Sequence, residues 1–270
     1  MPDARKPLLE VRGLCKIHRQ GRWWERRFQV RALHNVDLTL DAGSTLALVG
    51  ESGSGKTTLA MCLMGLERPD AGDIRFNGES LREQGRCERA RNIQLLFQDS
   101  AGALNPGMSA REIIEEPLLI LGKEKGGPRR GRVSKAMEQV GLPASWSHRR
   151  PYQLSGGQRQ RLAIARALVV EPRLLILDEA LAGLDLSIQG QISNLLLDLQ
   201  AAHGLSYLYI SHNLALVTQF ADEMVVLHKG QVTKRLIASE MIVTSKEPAA
   251  LAGMSMAARA LGAHAGTGAP

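Results

Sequence analysis

No run of about 18 apolar residues occurs in the chain, so it contains no transmembrane helix candidate. No apolar core follows the charged opening Met1-Pro2-Asp3-Ala4-Arg5-Lys6, so no secretory signal peptide is expected. A cytoplasmic protein is expected, with any membrane role supplied by a partner. Cysteine is scarce: Cys15, Cys62 and Cys87 are odd in number and widely spaced. That pattern suits neither a disulfide framework nor a zinc site, and reduced structural thiols are expected. No internal repeat is present. Nor is there the bias of a disordered or fibrous chain, because 44% hydrophobic and 23% charged residues are ordinary for a globular protein. A length of 270 residues suffices for one large domain or two closely joined subdomains with a sizeable core.

The formal net charge of +7 raises the question of nucleic acid. The arginines are scattered, however, and the densest group, Arg129-Arg130-Gly131-Arg132, follows Gly126-Gly127-Pro128 in an expected loop. A solvated face explains this better than a nucleic-acid footprint.

Short strands are expected at residues 8–11, 36–40 and 45–49, the last an apolar run of the kind buried in parallel sheets. A helix is predicted over 57–66. A strand around Ile74 and Phe76 closes at the hairpin signal Asn77-Gly78, and another covers 93–97. From about 109 to 154 the pattern is helical, broken at Pro117 and at the Gly/Pro/Arg loop, and reads as a helical insertion into an α/β core. Helices follow over 159–170, 188–202 and 214–220, and strands over 174–177 and 206–210. A hairpin of 224–227 and 231–234 turns at Lys229-Gly230. The expected organisation is an α/β core with a β-subdomain (8–97 and 158–238), a helical subdomain (99–157) and a short tail (239–270) expected to be frayed or weakly helical.

The segment Gly50-Glu51-Ser52-Gly53-Ser54-Gly55-Lys56-Thr57-Thr58 matches G-x-x-x-x-G-K-[ST], between an expected strand and an expected helix. Its glycines let successive N–H groups turn toward phosphate oxygens, and the helix N-terminus adds partial positive charge. Lys56 is placed to reach the β- and γ-phosphates, and the Thr57 hydroxyl to coordinate Mg²⁺. An ordinary Gly-rich turn is the bland alternative; the flanking strand and helix argue against it. The apolar run 174–177 ends in Asp178-Glu179. At the carboxyl end of a parallel strand these face the ligand crevice: Asp178 to hold Mg²⁺, Glu179 to polarise an attacking water as general base.

Leu154-Ser155-Gly156-Gly157-Gln158 opens a helix and offers a hydroxyl and N–H groups to a phosphate. One nucleotide needs one cradle, so this second one makes sense if it serves a nucleotide held by another subunit, two chains sandwiching two nucleotides head to tail. Here the chain resembles the ABC ATPase family, whose signature motif matches residues 154–158, and the likeness runs from about Leu8 to Lys234. It implies a P-loop NTPase core of ABC type, ATP and Mg²⁺ as cofactors, and further roles. Gln98 matches the glutamine loop that senses Mg²⁺ and the attacking water. Asp185 matches the aspartate loop across the dimer, here Ala182-Gly183-Leu184-Asp185 where Ser-Ala-Leu-Asp is common. His212 matches the switch histidine of the γ-phosphate. The family often stacks adenine on a Tyr where this chain has His18; Trp23, Trp24 or Phe28 could substitute, though a surface loop packing on the β-subdomain is the plainer reading of the tryptophan pair.

The block Phe97-Gln98-Asp99-Ser100-Ala101-Gly102-Ala103-Leu104-Asn105-Pro106 resembles F-Q-D-P-x-x-x-L-N-P of the dipeptide, oligopeptide and nickel importer ATPases, and residues 109–117 and 150–153 continue the likeness. The short stretch after the final hairpin resembles the second ATPase subunit of nickel importers. The branch implies a second ATPase subunit in a heterodimer or homodimer, two membrane permeases and, indirectly, a solute-binding protein, with this chain peripheral on the cytoplasmic face of the plasma membrane. In a second reading it is the ATPase of a soluble complex such as the phosphonate C–P lyase system.

Overall fold

The computed structural model describes residues 7–20, 28–122 and 127–240. Strands β1 (Leu9–Gln20), β2 (Phe28–Leu40), β4 (Ala71–Phe76) and β5 (Glu79–Ser80) form an antiparallel sheet ordered β2-β1-β4-β5. Strands β3 (Thr45–Val49), β6 (Ile93–Leu96), β7 (Leu174–Asp178), β8 (Ser206–Ile210), β9 (Glu223–His228) and β10 (Gln231–Ile237) form the second sheet, ordered β10-β9-β3-β8-β7-β6. All neighbours from β9 to β6 pair in parallel, and only the edge strand β10 runs antiparallel.

The helices occupy the connections. α1 (Lys56–Met64) follows β3, and α2 (Arg86–Asn92) precedes β6. α3 (Ala110–Ile120), α4 (Gly127–Gln139) and α5 (Gly156–Leu168) lie between β6 and β7. α6 (Leu186–His203) leads to β8, and α7 (Leu214–Phe220) to β9.

Every residue of β3, β7 and β8 is buried, which is why these strands read as unbroken apolar runs. Period-two alternation then divides them between two cores. Leu46, Leu48, Leu174, Ile176, Leu208 and Ile210 face α1 and the antiparallel sheet. Ala47, Val49, Leu175, Leu177, Tyr207 and Tyr209 face the helical side, with Ile113, Ile114, Leu162 and Ile192. Each fully buried side chain of this size contributes roughly 1.5–3 kcal/mol by its removal from water. Tyr207 satisfies its hydroxyl by donating to the Leu196 carbonyl at 2.7 Å, which pins α6 to β8.

Several features differ from the sequence expectation. The Gly/Pro/Arg stretch expected as a loop is helical from Gly127 and opens α4. The first strands are far longer than residues 8–11 and 36–40, because β1 and β2 continue as a hairpin past the buried stretch, with register shifts at Val11/Leu14 and Leu14/Lys16. Beyond those shifts Lys16, Ile17 and His18 are half-buried and Arg19, Gln29, Val30 and Arg31 are exposed, so the apolar alternation fades while pairing persists. Pro117 does not break its helix: it sits inside α3, and Leu121 donates to the Pro117 carbonyl at 3.0 Å. The ring removes one N–H bond, and burial of Ile113, Ile114 and Leu118 carries the helix through. At its start, Ser109 and Glu112 form a capping box.

β3 lies between β8 and β9, and the chain leaves it for the far edge strand β6 before stepping back through β7 and β8. The carboxyl ends of β3, β6, β7 and β8 therefore open on one side, at a topological switch point.

Candidate functional site

That side carries a cleft of about 810 Å³, lined by residues from four strand ends and from the β1–β2 hairpin. Gly50, Ser52, Gly53, Gly55, Lys56, Thr57 and Thr58 line it from the loop after β3. Glu51 and Ser54 belong to the same loop, and the Glu51 carbonyl accepts 3.1 Å from the Ser54 N–H.

Two glycines are demanded by close approach. A Cβ on Gly50 would stand 2.2 Å from the Leu227 carbonyl oxygen, and one on Gly55 2.3 Å from that of Ala32. Gly55 also holds φ 108°, a value unfavourable for any side chain. The loop is thus wedged between β2 and the end of β9, and the Gly230 N–H donates to the Ser54 carbonyl at 2.9 Å.

Lys56 folds back over the loop. Its Nζ donates to the carbonyls of Gly50 and Glu51, both at 2.8 Å. Burial lowers the Lys56 pKa, and the nearby Glu179 and Asp178 carboxylates oppose that shift. An ammonium held this way offers a point charge at the mouth of the loop. Asp178 ends β7 and is buried. Burial raises its pKa, a hydrogen bond from the Thr57 side chain opposes the rise, Glu179 adds to it and Lys56 again opposes it. The Thr57 hydroxyl and the Asp178 carboxylate are therefore adjacent hard oxygen donors beside the phosphate loop, the donor chemistry that suits Mg²⁺.

Glu179 follows with φ 50°, a left-handed backbone for a non-glycine residue. Its N–H donates to the Ile210 carbonyl at 2.9 Å, which locks this turn to the end of β8. Its Oε1 lies 3.1 Å from Nδ1 of His212, which comes from the loop after β8. Gln98, after β6, lines the same cleft with Phe97 and Asp99.

His18 lines the opposite wall. Its Nε2 is 3.3 Å from the Thr58 hydroxyl and 3.6 Å from Glu67 Oε2. Val30 and Ala32 of β2 stand beside it, two cleft residues the sequence reading missed. Nothing local marks them, since their role follows from the pairing of His18 with Val30 across the hairpin. Trp23 and Trp24 lie outside the described residues, as does the side chain of Phe28.

Leu154, Ser155, Gly156, Gly157 and Gln158 line no part of the cleft. Ser155 caps α5, accepting from the Gln158 N–H at 3.4 Å, while the Gln158 side chain accepts 3.0 Å from the Ser155 N–H. Ser155 and Gly156 are exposed at the start of α5. Asp185 caps α6 and accepts from the Ile188 N–H at 2.9 Å, likewise outside the cleft.

A family model described as ABC transporter matches residues 33–182. The chain belongs to the ABC transporter family. This ABC cassette is 42% identical over 243 residues to the "Nickel import ATP-binding protein NikE" of Escherichia coli (strain K12), covering 89% of this chain and 91% of the relative. The same figures hold for the protein of that name from Shigella boydii serotype 4. Among solved structures, the cassette resembles cbiO1 of Clostridium perfringens, part of the ABC transporter complex cbiONQ. That likeness has a TM-score of 0.77 and 26% identity over 88% of this chain and 92% of the other. It also resembles a dimeric ATP-binding cassette in a post-hydrolysis state bound to ADP and Pi. Here the TM-score is 0.72 and the identity 27%, over 85% of this chain and 98% of that one. As an ABC cassette the chain binds and hydrolyses ATP, and no helix among its described residues is long and apolar enough to cross a membrane.

Proposed function

We propose that this chain is the ATP-hydrolysing subunit of a bacterial ABC importer that takes up nickel or a metal chelate. The relatives named for nickel import support the cargo, and they match over nine-tenths of their own length. Two permeases, a second ATPase subunit and a solute-binding protein complete the assembly, with this chain on the cytoplasmic face of the membrane.

One observation supports the catalytic reading above the others. Glu179 shares a cleft with Lys56, Thr57 and Asp178 and contacts His212, whereas the phosphate-ready start of α5 stands outside it. One chain thus carries two separate phosphate-binding surfaces, as a head-to-tail sandwich of two ATP molecules requires. The loop N–H groups from Gly50 to Thr58 and the Lys56 ammonium grip the β- and γ-phosphates. Thr57, Asp178 and Gln98 would hold Mg²⁺, and the ion would supply neutralisation of the charge that develops on the phosphate oxygens. Glu179 takes a proton from the attacking water, and His212, already in contact with that carboxylate, steadies it and faces the γ-phosphate. Ser155 and Gly157 of the facing chain complete the site, with Asp185 at the seam. His18 stacks on the adenine. Hydrolysis removes the bridging γ-phosphate contacts and the dimer opens, so the cycle runs on the different affinities of the closed state for ATP and ADP.

The test is the Glu179→Gln chain with ATP-Mg²⁺, followed by light scattering. A dimer that forms only with nucleotide and persists is expected. Hydrolysis by this variant at the wild-type rate refutes the assignment of Glu179 as base.

A further inference from the structure

Two buried glutamines outside the cleft engage the loop between Glu179 and Asp185. Gln160, on α5 four residues after Gly156, is 3% exposed, and its Nε2 donates to the Ala180 carbonyl at 2.9 Å. Gln189, on the first turn of α6, is 9% exposed and donates from Nε2 to the carbonyls of Leu181 at 3.1 Å and Leu184 at 3.0 Å. Three carbonyls of one irregular segment are therefore satisfied by two side-chain amides. A buried loop carbonyl needs such a partner, and when the donor is removed the orphaned oxygen drives the segment to rearrange.

We propose that Gln160 and Gln189 are positioning residues that set the loop 180–184 and through it couple the two nucleotide sites of the ATP sandwich. The inference rests on the sandwich reading above. Gln160 lies on the helix whose first residues face the partner's nucleotide, and its target is the residue directly after Glu179, the base of this chain's own site. A shift of α5 on engaging a phosphate is thereby transmitted by one hydrogen bond to the Ala180 carbonyl, one residue after Glu179. Gln189 fixes the far end of the same loop, where Asp185 begins α6. The two helices also touch directly: a Cβ on Gly157 would stand 3.0 Å from Ile188 Cγ2, so the signature helix and the start of α6 are packed with no spare room. Oε1 of Gln189 is buried without a partner, and Gln189 lines a cavity of about 140 Å³ shared with Glu179, Ser211 and His212. That cavity gives the loop space to move toward the catalytic pair.

Methionine replaces glutamine at nearly equal length without a donor, so Gln160→Met and Gln189→Met remove the bonds with little change in volume. Two readouts decide. The first is hydrogen exchange of the amides of residues 180–185 in the nucleotide-free chain. Exchange there should rise about fivefold or more as the carbonyl tethers are lost. Unchanged exchange in both variants overturns the clamp, and this holds whether or not the isolated chain hydrolyses ATP. The second is steady-state hydrolysis by the full assembly. Each variant should lower kcat about tenfold or more with KM for ATP within about twofold, because the loop sets the base and not the phosphate grip. Gln160→Met should also reduce the cooperativity of ATP hydrolysis. A buried control far from the cleft, Val11→Ala, matched for loss of Tm, should leave kcat unchanged. Equal losses of kcat in control and variants overturn the positioning role. Wild-type chain that neither dimerises with ATP nor hydrolyses it in the assembly refutes the sandwich reading instead, while the exchange measurement still decides the clamp.

Discussion

Gly55→Ala tests how tightly the phosphate loop is built. Two costs combine at this position. The first is conformational: φ is 108°, and an alanine there pays roughly 1–3 kcal/mol of backbone strain. The second is steric: the new Cβ would lie 2.3 Å from the backbone oxygen of Ala32, which belongs to a paired strand and cannot swing aside as a flexible side chain would. Restoring ordinary contact separates the loop from β2 by about 1 Å, and a misplacement of that size in a positioned site is worth on the order of 100-fold. Gly43→Ala supplies the comparison, since Gly43 has φ 73° in a turn remote from the cleft, and an added Cβ there meets nothing within 4 Å. It incurs strain alone. The assay is paired: thermal melting of each nucleotide-free variant, and titration with a fluorescent ATP analogue. Both variants should melt lower by a few degrees, at about 2–4 °C per kcal/mol. Only Gly55→Ala should weaken nucleotide binding, by about 100-fold. Wild-type affinity in Gly55→Ala would refute the claim that the contact with Ala32 holds the loop in its binding shape.

Two further expectations follow from the site. Burial raises the pKa of Asp178, so the folded state keeps its proton longer than the unfolded chain; the penalty is absent below the unfolded value and grows as pH rises through the folded one. Asp178→Asn should therefore melt higher than wild type at pH about 7, with the gap closing as pH falls toward about 4, the ordinary carboxylate range, while its hydrolysis is lost; a lower melting temperature at neutral pH refutes this sign. Ser155→Ala removes the α5 cap at a cost of about 0.5–2 kcal/mol, seen as a modest drop in Tm. It should leave ATP binding to the single chain intact yet abolish ATP-dependent dimerisation of the Glu179→Gln background, which sedimentation velocity would register.

Much of the site was legible from local sequence because its parts are contiguous. A loop that wraps phosphate with its own N–H groups must be one unbroken segment, so residues 50–58 announced themselves, as did the carboxylates closing the apolar run of β7. His18 was found only by position relative to a family pattern, and the structure puts it on the cleft wall beside Thr58. Pro117 misled because its local penalty is real but smaller than the burial of the apolar face around it.

The sequence by itself determined the chemistry present: a glycine-rich loop of the G-x-x-x-x-G-K-[ST] pattern, two carboxylates at the end of an apolar run, and no apolar run of about 18 residues. Only the tertiary structure decided which of these groups meet. It brought Glu179 to 3.1 Å from His212 across the ends of β7 and β8. It set the Ala32 carbonyl against Gly55 and kept the start of α5 out of the cleft. The physical reason is range. Backbone curvature, capping and strand burial depend on neighbours along the chain, whereas the meeting of strand ends depends on sheet order, which pairing between distant segments establishes only when the whole domain closes.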